Sequence, residues 1–443
     1  MTNPGMIKPG IVKPGISNSR MGEVIHTIAS AQEITSAADR LREAAQKETT
    51  PQAVLELFEQ WAAALDAPGL REIPGLAFLR LWLRRGTLEP ILLRELGPAS
   101  LQGFWRDDGR MRLRGFPLGV VGHWPAGNIE IQPVLSLTCA LLGGNSCLVR
   151  VPNGLVEATQ LIVEKLHEID GSGLLKERIF LASFDHSRMD LQAAMARSVD
   201  GAMIWGGEEA VSQVRALPFP HWARVVVFGP RISVAAMDAG IWSDENQRAM
   251  WCRRIARDVW QFDQQACSSP QALFLERGEG CDPTDFVRNL RQAFEEENRA
   301  HPRREIEPNL TSAICQARAS WLLDNVANHA WFPPSPDWTI LQGTGVEIPK
   351  PTQGRTLSVL VVDDLREVFS RFDGTVQTLG LAAKDAAREE TLAQAAGHHG
   401  VDRIVRLGQM HVFGSPWDGT DLIRPMVRLV RHTRSQDSND ASS

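Results

Sequence analysis

Tyrosine is absent from this chain of 443 residues, although the chain contains 13 tryptophans and 16 phenylalanines. The absence excludes a tyrosine side chain as a catalytic acid, base or nucleophile. The six cysteines form no CxxC pair, and no group of cysteines and histidines has the spacing of a zinc site. We therefore expect no metal ion.

Neither an excess of basic residues nor a long apolar run is present. The formal net charge is −6, whereas nucleic-acid-binding proteins usually carry a basic excess. The longest apolar runs, such as residues 135–142, are too short to span a bilayer. These two observations predict no membrane span and no nucleic-acid partner. Free cysteines and the lack of a signal peptide predict a cytoplasmic protein.

The two ends and the first hundred residues differ in pattern from the rest. Pro-Gly recurs every five residues from Pro4, which blocks helix and strand alike, so residues 1–20 are predicted to form a flexible arm. Residues 434–443 are predicted to be a disordered polar tail. Between these ends, residues 21–101 carry apolar side chains near the 3.6-residue period, which predicts helices.

Strand patterns alternate with helical patterns from residue 119 to residue 234, and the alternation resumes after Pro230. Such alternation predicts parallel sheets with helices on both faces, and ligands that bind beyond the carboxyl ends of the strands. We therefore predict an α/β fold of two doubly wound parallel-sheet domains after an N-terminal helical segment. The predicted divisions are 1–20, 21–230 for the helices and a dinucleotide-binding domain, 231–410 for a catalytic domain, and 411–443 for a C-terminal segment and tail.

Cys267 is the strongest candidate for a nucleophile. It lies on a polar loop, between Gln264-Gln265 and Ser268-Ser269, immediately before a predicted strand. Such a loop can expose the sulfur to a cleft, although a buried structural cysteine is the alternative. Cys139 and Cys147 lie in apolar patterns, which predicts that they pack in the core.

Three candidate ligand-binding positions lie at or just after the ends of predicted strands of the first domain. Asn128 can supply an amide donor, or it can simply cap a helix. Gly206-Gly207 leave room for a phosphate at a helix N-terminus, although a tight turn alone favours glycine too. Arg150 can bind phosphate oxygens or lie at the surface. No GxGxxG motif occurs in this region.

Five stretches of sequence carry a resemblance to a known family. Residues 115–128, 143–150, 204–211 and 262–270 together resemble the aldehyde dehydrogenase superfamily. Residues 400–411 resemble its branch of acyl-CoA reductases similar to LuxC. The resemblance implies a nucleophilic Cys267, an Asn128 side chain that binds the oxyanion, and a homo-oligomer. It also implies a set of cofactor-binding residues: Trp124, Pro125, Arg150, Gly206, Gly207 and, at the nicotinamide ribose, Glu367.

Two departures from the family pattern refine this expectation. Val227 stands where hydrolytic relatives carry a water-activating glutamate, so transfer to a thiol is favoured over production of an acid. Residues 151–154 offer no carboxylate for the ribose 2′-hydroxyl, which together with Arg150 favours NADPH, with NADH possible.

The expected function is reduction of an acyl thioester, carried by CoA or by a carrier protein, to an aldehyde through an S-acyl-cysteine intermediate. Alternatives remain open at this stage. They are an acyl-phosphate or semialdehyde dehydrogenase on the same fold, a cysteine acyltransferase or thioesterase without nicotinamide, and a non-catalytic subunit that carries an acyl group. The acyl group itself is not identified, although Trp331, Phe332 and Trp338 could line its pocket or pack in the core.

Overall fold

Two parallel β-sheets, each covered by helices on both faces, make up most of the fold. The computed structural model describes residues 24–98, 100, 106–107, 111–278, 282–303 and 306–433. The predicted flexible arm and the predicted polar tail lie outside these residues. The predicted α/β class with doubly wound sheets is confirmed.

The N-terminal region is mainly helical, as predicted, but it begins with a strand. Strand β1 (Ile25–Thr27) pairs in parallel with a later strand at the edge of the first sheet. The helical prediction was wrong here because a three-residue edge strand is too short to show a periodic pattern. The helices that follow are α1 (Ala31–Gln46), α2 (Pro51–Ala64), α3 (Leu76–Trp82) and α4 (Arg85–Leu96).

Local capping fixes where the first two of these helices begin. The Ser30 hydroxyl accepts from the Glu33 backbone N–H, and the Glu33 carboxylate accepts from the Ser30 backbone N–H, which is a capping box. The Thr50 hydroxyl caps α2, whose first residue is Pro51.

The first sheet is all parallel and has the strand order β1-β6-β5-β4-β7-β8. Its other strands are β4 (Val120–Trp124), β5 (Ser146–Arg150), β6 (Ile179–Ser183), β7 (Gly201–Trp205) and β8 (Arg224–Phe228). Its connecting helices are α5 (Gln132–Leu142), α6 (Val156–Ile169), α7 (Met189–Arg197) and α8 (Glu208–Arg215). The direction of winding reverses between β4 and β7, so a ligand crevice is expected at the carboxyl ends of these two strands. Cys139 and Cys147 are fully buried beside this sheet, as predicted.

The second sheet has the order β11-β12-β13-β10-β9-β14-β15 and is parallel except for the β11–β12 pair. Its strands are β9 (Ile232–Met237), β10 (Pro270–Glu276), β11 (His329–Trp331), β12 (Thr339–Thr344), β13 (Thr356–Val362), β14 (Val376–Ala382) and β15 (Arg403–Arg406). Its helices are α9 (Ala239–Trp242), α10 (Glu245–Trp260), α11 (Pro283–Ala300), α12 (Pro308–Asp324), α13 (Leu365–Phe369) and α14 (Ala386–His398). Pro230 lies between the last strand of the first sheet and the first strand of the second.

A third, antiparallel sheet was not predicted. It has the order β16-β3-β2 and joins β2 (Arg106–Asp107) and β3 (Met111–Pro117) to β16 (Val427–Thr433). Strands β3 and β16 pair across more than 300 residues of sequence, which no local pattern reveals. In the part of the chain that the structure describes, no helix is long and apolar enough to cross a membrane.

Candidate active site

A large cavity lies between the two parallel sheets. It has a volume of about 1270 Å³ and is bordered by residues that follow β4 and β7 of the first sheet. On the opposite side it is bordered by Ile232, Cys267 and Thr375, which lie at the amino-terminal ends of β9, β10 and β14. The carboxyl edge of one sheet therefore faces the amino edge of the other, and the predicted switch-point crevice of the first sheet opens onto the cysteine loop.

The cysteine loop has an unusual backbone that is held by buried hydrogen bonds. Phe262, Asp263 and Gln264 have φ angles of 56°, 50° and 62°, a left-handed conformation that non-glycine residues seldom adopt. The buried Gln264 side chain donates to the Pro270 and Thr356 carbonyls at 2.7 and 2.8 Å and accepts from the Thr356 N–H at 2.7 Å. These bonds offset the backbone strain and fix the loop to the edge of the second sheet.

Cys267 is half-buried and lines the cavity. Its carbonyl accepts a hydrogen bond of 2.6 Å from the Ser233 hydroxyl, which anchors the residue to β9. Burial and, to a smaller extent, the negative charge of Asp418 raise the pKa of the Cys267 thiol to about 11, although the Arg403 cation opposes both effects. At neutral pH the sulfur is therefore a protonated thiol in the free protein.

Asn128 lines the same cavity, just after β4. Its Nδ2 donates to the Gln265 carbonyl at 2.9 Å, two residues before Cys267. An amide nitrogen carries two hydrogens, so one N–H remains available beside the cysteine loop. The structure thus brings together the two residues that the sequence proposed for the acyl chemistry.

Five of the six predicted cofactor residues also line this cavity. They are Trp124, Pro125, Arg150, Gly206 and Gly207. The Arg150 guanidinium lies 5.8 Å from the Phe184 ring centre, and its buried Nε has no hydrogen-bond partner. A Cβ atom at Gly207 would meet nothing within 4 Å, so the backbone at the start of α8 is open to a ligand.

The sixth predicted cofactor residue, Glu367, does not reach the cavity. It is exposed on α13 and is absent from the residues that line the cavity. The geometry therefore gives no support to the predicted contact between Glu367 and the nicotinamide ribose. That prediction rested on a short local likeness, and a sequence separation of 100 residues from Cys267 gave no information about distance.

The cavity has an apolar, aromatic end formed by elements from distant parts of the chain. Phe78 of α3, Phe262 and His411 have ring centres 5.5 to 6.4 Å apart. Phe413 lies 6.4 Å from Trp205 at the same end. All five of these aromatic residues line the cavity.

The aromatic residues that the sequence suggested for a pocket lie elsewhere. None of Trp331, Phe332 and Trp338 is among the described residues that line the cavity. Trp338 is buried against Phe294, with ring centres 5.8 Å apart, so it packs in the core of the second sheet.

Sequence reasoning missed a polar cluster around Cys267. Gln377 of β14 is fully buried, and its Nε2 donates a hydrogen bond to the Asp418 carboxylate. Arg403 lies beside them. Arg403 belongs to the stretch 400–411 that carried the family resemblance, but that stretch had been assigned no role. Gln377 and Asp418 had no local signal, because each lies more than 100 residues from Cys267.

Comparison of sequences with known proteins identifies a family and several relatives of this chain. The model of the family described as acyl-CoA reductase (LuxC) matches residues 29–432. A long-chain acyl-protein thioester reductase of Vibrio harveyi is 24% identical over 357 residues, covering 78% of this chain and 70% of that protein. A protein of the same description from Photorhabdus laumondii is 25% identical over 358 residues, covering 79% of this chain and 70% of its own length.

Solved structures support the fold. A putative aldehyde dehydrogenase from Burkholderia cenocepacia superposes with a TM-score of 0.66 at 16% identity, covering 91% of both chains. The indole-3-acetaldehyde dehydrogenase AldA of P. syringae gives a TM-score of 0.65 at 15% identity, covering 91% of this chain and 88% of that one. Proline utilization A of Bradyrhizobium japonicum gives 0.65 at 16% identity, with 92% of this chain matched, but the match spans less than half (46%) of that longer chain. The predicted aldehyde-dehydrogenase-like fold is confirmed.

Proposed function

The chain belongs to the acyl-CoA reductase (LuxC) family, and from that membership we propose that it reduces an acyl thioester to an aldehyde. In this proposal Cys267 carries the acyl group and NADPH is the reductant. The supporting observation is that one cavity is lined by Cys267, by the Asn128 amide and by the residues that would hold a dinucleotide. A cysteine acyltransferase without a cofactor would not need the open crevice at the carboxyl ends of β4 and β7.

The residues at this crevice fit a nicotinamide dinucleotide. Arg150 offers a buried, unpartnered Nε–H that a phosphate oxygen would satisfy, and no carboxylate occurs among residues 151–154 to repel a 2′-phosphate. Gly207 leaves the backbone at the start of α8 open to a pyrophosphate, because a Cβ atom there would meet nothing within 4 Å. This donor set supports NADPH over NADH. When bound, the nicotinamide supplies the hydride that reduces the acyl group.

The residues of the chain supply the acyl-transfer steps. The Cys267 sulfur attacks the carbonyl carbon of the thioester, and the carbonyl oxygen becomes an oxyanion. The free N–H of the Asn128 amide, together with the Cys267 backbone N–H, would stabilise that oxyanion; one such donor contributes roughly 2.7–4 kcal/mol to lowering a barrier. The donor thiol then leaves, and the acyl group remains on Cys267.

Release of a free acid is disfavoured by the absence of a base at the position where hydrolytic relatives have one. Val227 occupies that position on β8, and the next residue, Phe228, places an aromatic ring at the cavity wall. Neither side chain can activate water. An S-acyl enzyme would therefore persist until it is reduced or until a thiol takes the acyl group back.

The aromatic end of the cavity supports an apolar acyl chain as the substrate. Phe78, Phe262 and Phe413 form a wall that an alkyl chain can contact without leaving polar groups unpaired. The relatives from Vibrio harveyi and Photorhabdus are described as reductases of long-chain acyl groups carried on a protein. We infer that this chain accepts a long-chain acyl thioester, with CoA or a protein as the donor. We further infer that it acts as a homo-oligomer, which light scattering after size-exclusion chromatography would measure.

Intact-mass spectrometry tests this function. The protein is mixed with acyl-CoA, with acyl phosphate or with an acylated carrier protein, each with and without NADPH. A mass gain of one acyl group without NADPH, and its loss together with aldehyde formation when NADPH is added, is the expected result. The variant Cys267→Ala should gain no acyl mass yet still bind NADPH.

A matched control is Cys315→Ala, which removes the exposed thiol of α12 and should label normally. If the Cys267→Ala variant still reduced acyl-CoA at the parental rate, the proposed nucleophile would be wrong. If acyl phosphate alone were accepted, the proposed thioester donor would be wrong.

A further inference from the structure

A buried amide holds a carboxylate next to the strand that anchors Cys267. Gln377 lies on β14, which pairs with β9, and the Ser233 hydroxyl of β9 donates to the Cys267 carbonyl. The Gln377 Nε2 donates to Asp418 Oδ1. Because Cys267 and Asp418 both line the cavity, a water molecule in the cavity can carry a proton between the two side chains.

Asp418 is the carboxylate best placed to exchange a proton with Cys267. Among the described residues that line the cavity, Glu208 and Asp418 are the only carboxylates. Glu208 begins α8 on the side of Arg150 and Gly206, whereas Asp418 adjoins the cysteine loop.

The one histidine near the cysteine loop is already engaged at both ring nitrogens. His411 Nε2 lies 2.7 Å from the Asp258 carbonyl, and Nδ1 lies 3.0 Å from the Ser268 hydroxyl. Burial also lowers the pKa of His411 to about 4. Its imidazole is therefore neutral, with no free nitrogen to accept the thiol proton.

A fixed cation lies beside the sulfur and the carboxylate. The Arg403 guanidinium is held by neutral partners: Thr378 Oγ1 at 3.1 Å, the Val412 carbonyl at 3.1 Å, the Met410 carbonyl, and the Trp417 ring, whose centre is 4.5 Å away. Within the described parts of the chain, Arg403 has no carboxylate within 4.0 Å. Its charge is therefore not cancelled by a direct ion pair and acts on both Cys267 and Asp418.

We propose that Asp418 accepts the proton of the Cys267 thiol, and that Arg403 stabilises the one negative charge that these two side chains exchange. This inference rests on the proposed function and concerns its first half-reaction. The thiol proton passes through a water molecule to the Asp418 carboxylate. The thiolate bonds to the acyl carbon, the C–S bond of the donor breaks, and the departing thiolate takes the proton back from Asp418. Protons and electrons balance without a further reagent.

The charges around this pair put the proton on sulfur in the resting protein. Burial raises the pKa of Asp418 to about 6, below the value of about 11 for Cys267, so at pH 7.5 the carboxyl is ionised and the thiol is protonated. The charged groups that face Asp418 are Arg231, Asp402 and Arg403, and Arg403 also faces Cys267. Asp258 faces Arg403. A base acts only when it is ionised, so acyl transfer should fall about tenfold per pH unit below a pH of about 6.

The test is the rate of CoA release from dodecanoyl-CoA in a single turnover without NADPH, measured from about pH 5 to pH 9. The variant Asp418→Asn keeps the side-chain shape, and asparagine tolerates the φ of 48° at this position. Near pH 7.5 we expect its rate to be about 10²-fold lower than the parental rate, which is the lower end of the range for general base catalysis. We also expect the decline below pH 6 to be replaced by a rate that rises tenfold per pH unit up to about pH 9. A purely structural role would lower the rate without changing this profile.

Two further variants keep the proposal open to refutation. Asp421→Asn removes the same charge three residues further on, outside the cavity lining, and should behave as the parent. Asp418→Gly, with glycine suited to the positive φ, should regain activity when formate is added, and it replaces Asp418→Asn if that variant does not fold. Parental rates and an unchanged pH profile in Asp418→Asn, or no rescue by formate in Asp418→Gly, would overturn the assignment. Loss of acylation in Cys267→Ala together with either result would leave the proposed function intact.

Discussion

The reactivity of Cys267 is governed by its surroundings more than by an intrinsically acidic thiol. Burial raises the pKa of its sulfur, as it does for Cys139 and Cys147 in the core. Cys267 differs from those two because it lines the cavity. A thiol with a high pKa is a good nucleophile once deprotonated, and it stays protonated, and so protected from oxidation, until substrate arrives.

The first prediction at the residue scale concerns Asn128. Asn128→Ala removes the proposed oxyanion donor and the hydrogen bond to the Gln265 carbonyl. We expect kcat to fall roughly 10²–10³-fold, because an oxyanion donor acts mainly in the transition state. The dissociation constant for NADPH, measured by nicotinamide fluorescence, should be unchanged. Asn325→Ala, at the exposed end of α12, is the control, and an Asn128→Ala variant with parental kcat would contradict the proposed role.

The second prediction at this scale concerns Arg150 and the choice of nicotinamide. Arg150→Ala removes a buried N–H donor that has no partner within the protein. A hydrogen bond between charged groups contributes about 1.5–3 kcal/mol, so the affinity for NADPH should fall about tenfold or more. The affinity for NADH should change much less, because NADH lacks the 2′-phosphate. Fluorescence titration with both dinucleotides measures the difference, with the exposed Arg197→Ala as the control. Equal losses for the two cofactors would show that Arg150 does not contact the 2′-phosphate.

At the scale of elements, local patterns predicted what local sequence determines. The strands and helices from β4 to β8 could be located because they are apolar runs or carry a helical period, and α10 lies where the pattern placed it. In the second sheet, β10, β13 and β14 were located in the same way, whereas β9, β11, β12 and β15 were not. Strand β1 and the pairing of β3 with β16 could not be predicted, because each depends on a partner far away in sequence. The same reason explains why only part of the active site could be predicted. Cys267 and Asn128 lie in recognisable motifs, whereas Gln377 and Asp418 acquire significance only through the fold.

The short helix α3 supplies one wall of the apolar end of the cavity, which gives a prediction about chain length. Phe78→Ala removes a ring that lies about 6 Å from both Phe262 and His411. The cavity should then lengthen, so kcat/KM should shift toward longer acyl chains. Removal of a few methylene contacts changes discrimination by about 1–3 kcal/mol, or roughly 10–200-fold.

The measurement for this prediction is kcat/KM for a series of acyl-CoA substrates of increasing chain length. Leu81→Ala, at an exposed position of the same helix, is the control and should leave the preference unchanged. An unchanged chain-length profile in Phe78→Ala would show that the acyl chain does not extend toward α3.

At the scale of the whole molecule, the C-terminal segment after β15 connects the part of the chain built on the second sheet (the second lobe) with the part built on the first sheet (the first lobe), and it passes the site on the way. After β15 of the second sheet, the chain passes His411, Phe413 and Asp418 in the cavity lining and then returns to the first lobe. There, the buried Glu95 of α4 accepts hydrogen bonds from the backbone N–H groups of Leu422, Ile423 and Arg424 and from the Ser415 hydroxyl. One carboxylate thus holds the segment that carries four cavity residues, the fourth being Trp417.

Glu95 therefore couples stability to catalysis. Glu95→Gln keeps the shape but replaces a charged acceptor by an amide whose NH₂ group faces N–H donors, so at least one buried bond is lost. We expect the free energy of unfolding to fall by about 2 kcal/mol and Tm to fall by a few degrees. Because the segment positions Asp418, CoA release from the acyl donor should slow as well, even well below Tm. Thermal denaturation and single-turnover acylation measure the two effects, and Glu56→Gln, exposed on α2, is the control. If Tm fell while acylation kept the parental rate, the segment would be a structural strap alone, and the placement of Asp418 would not depend on its attachment to α4.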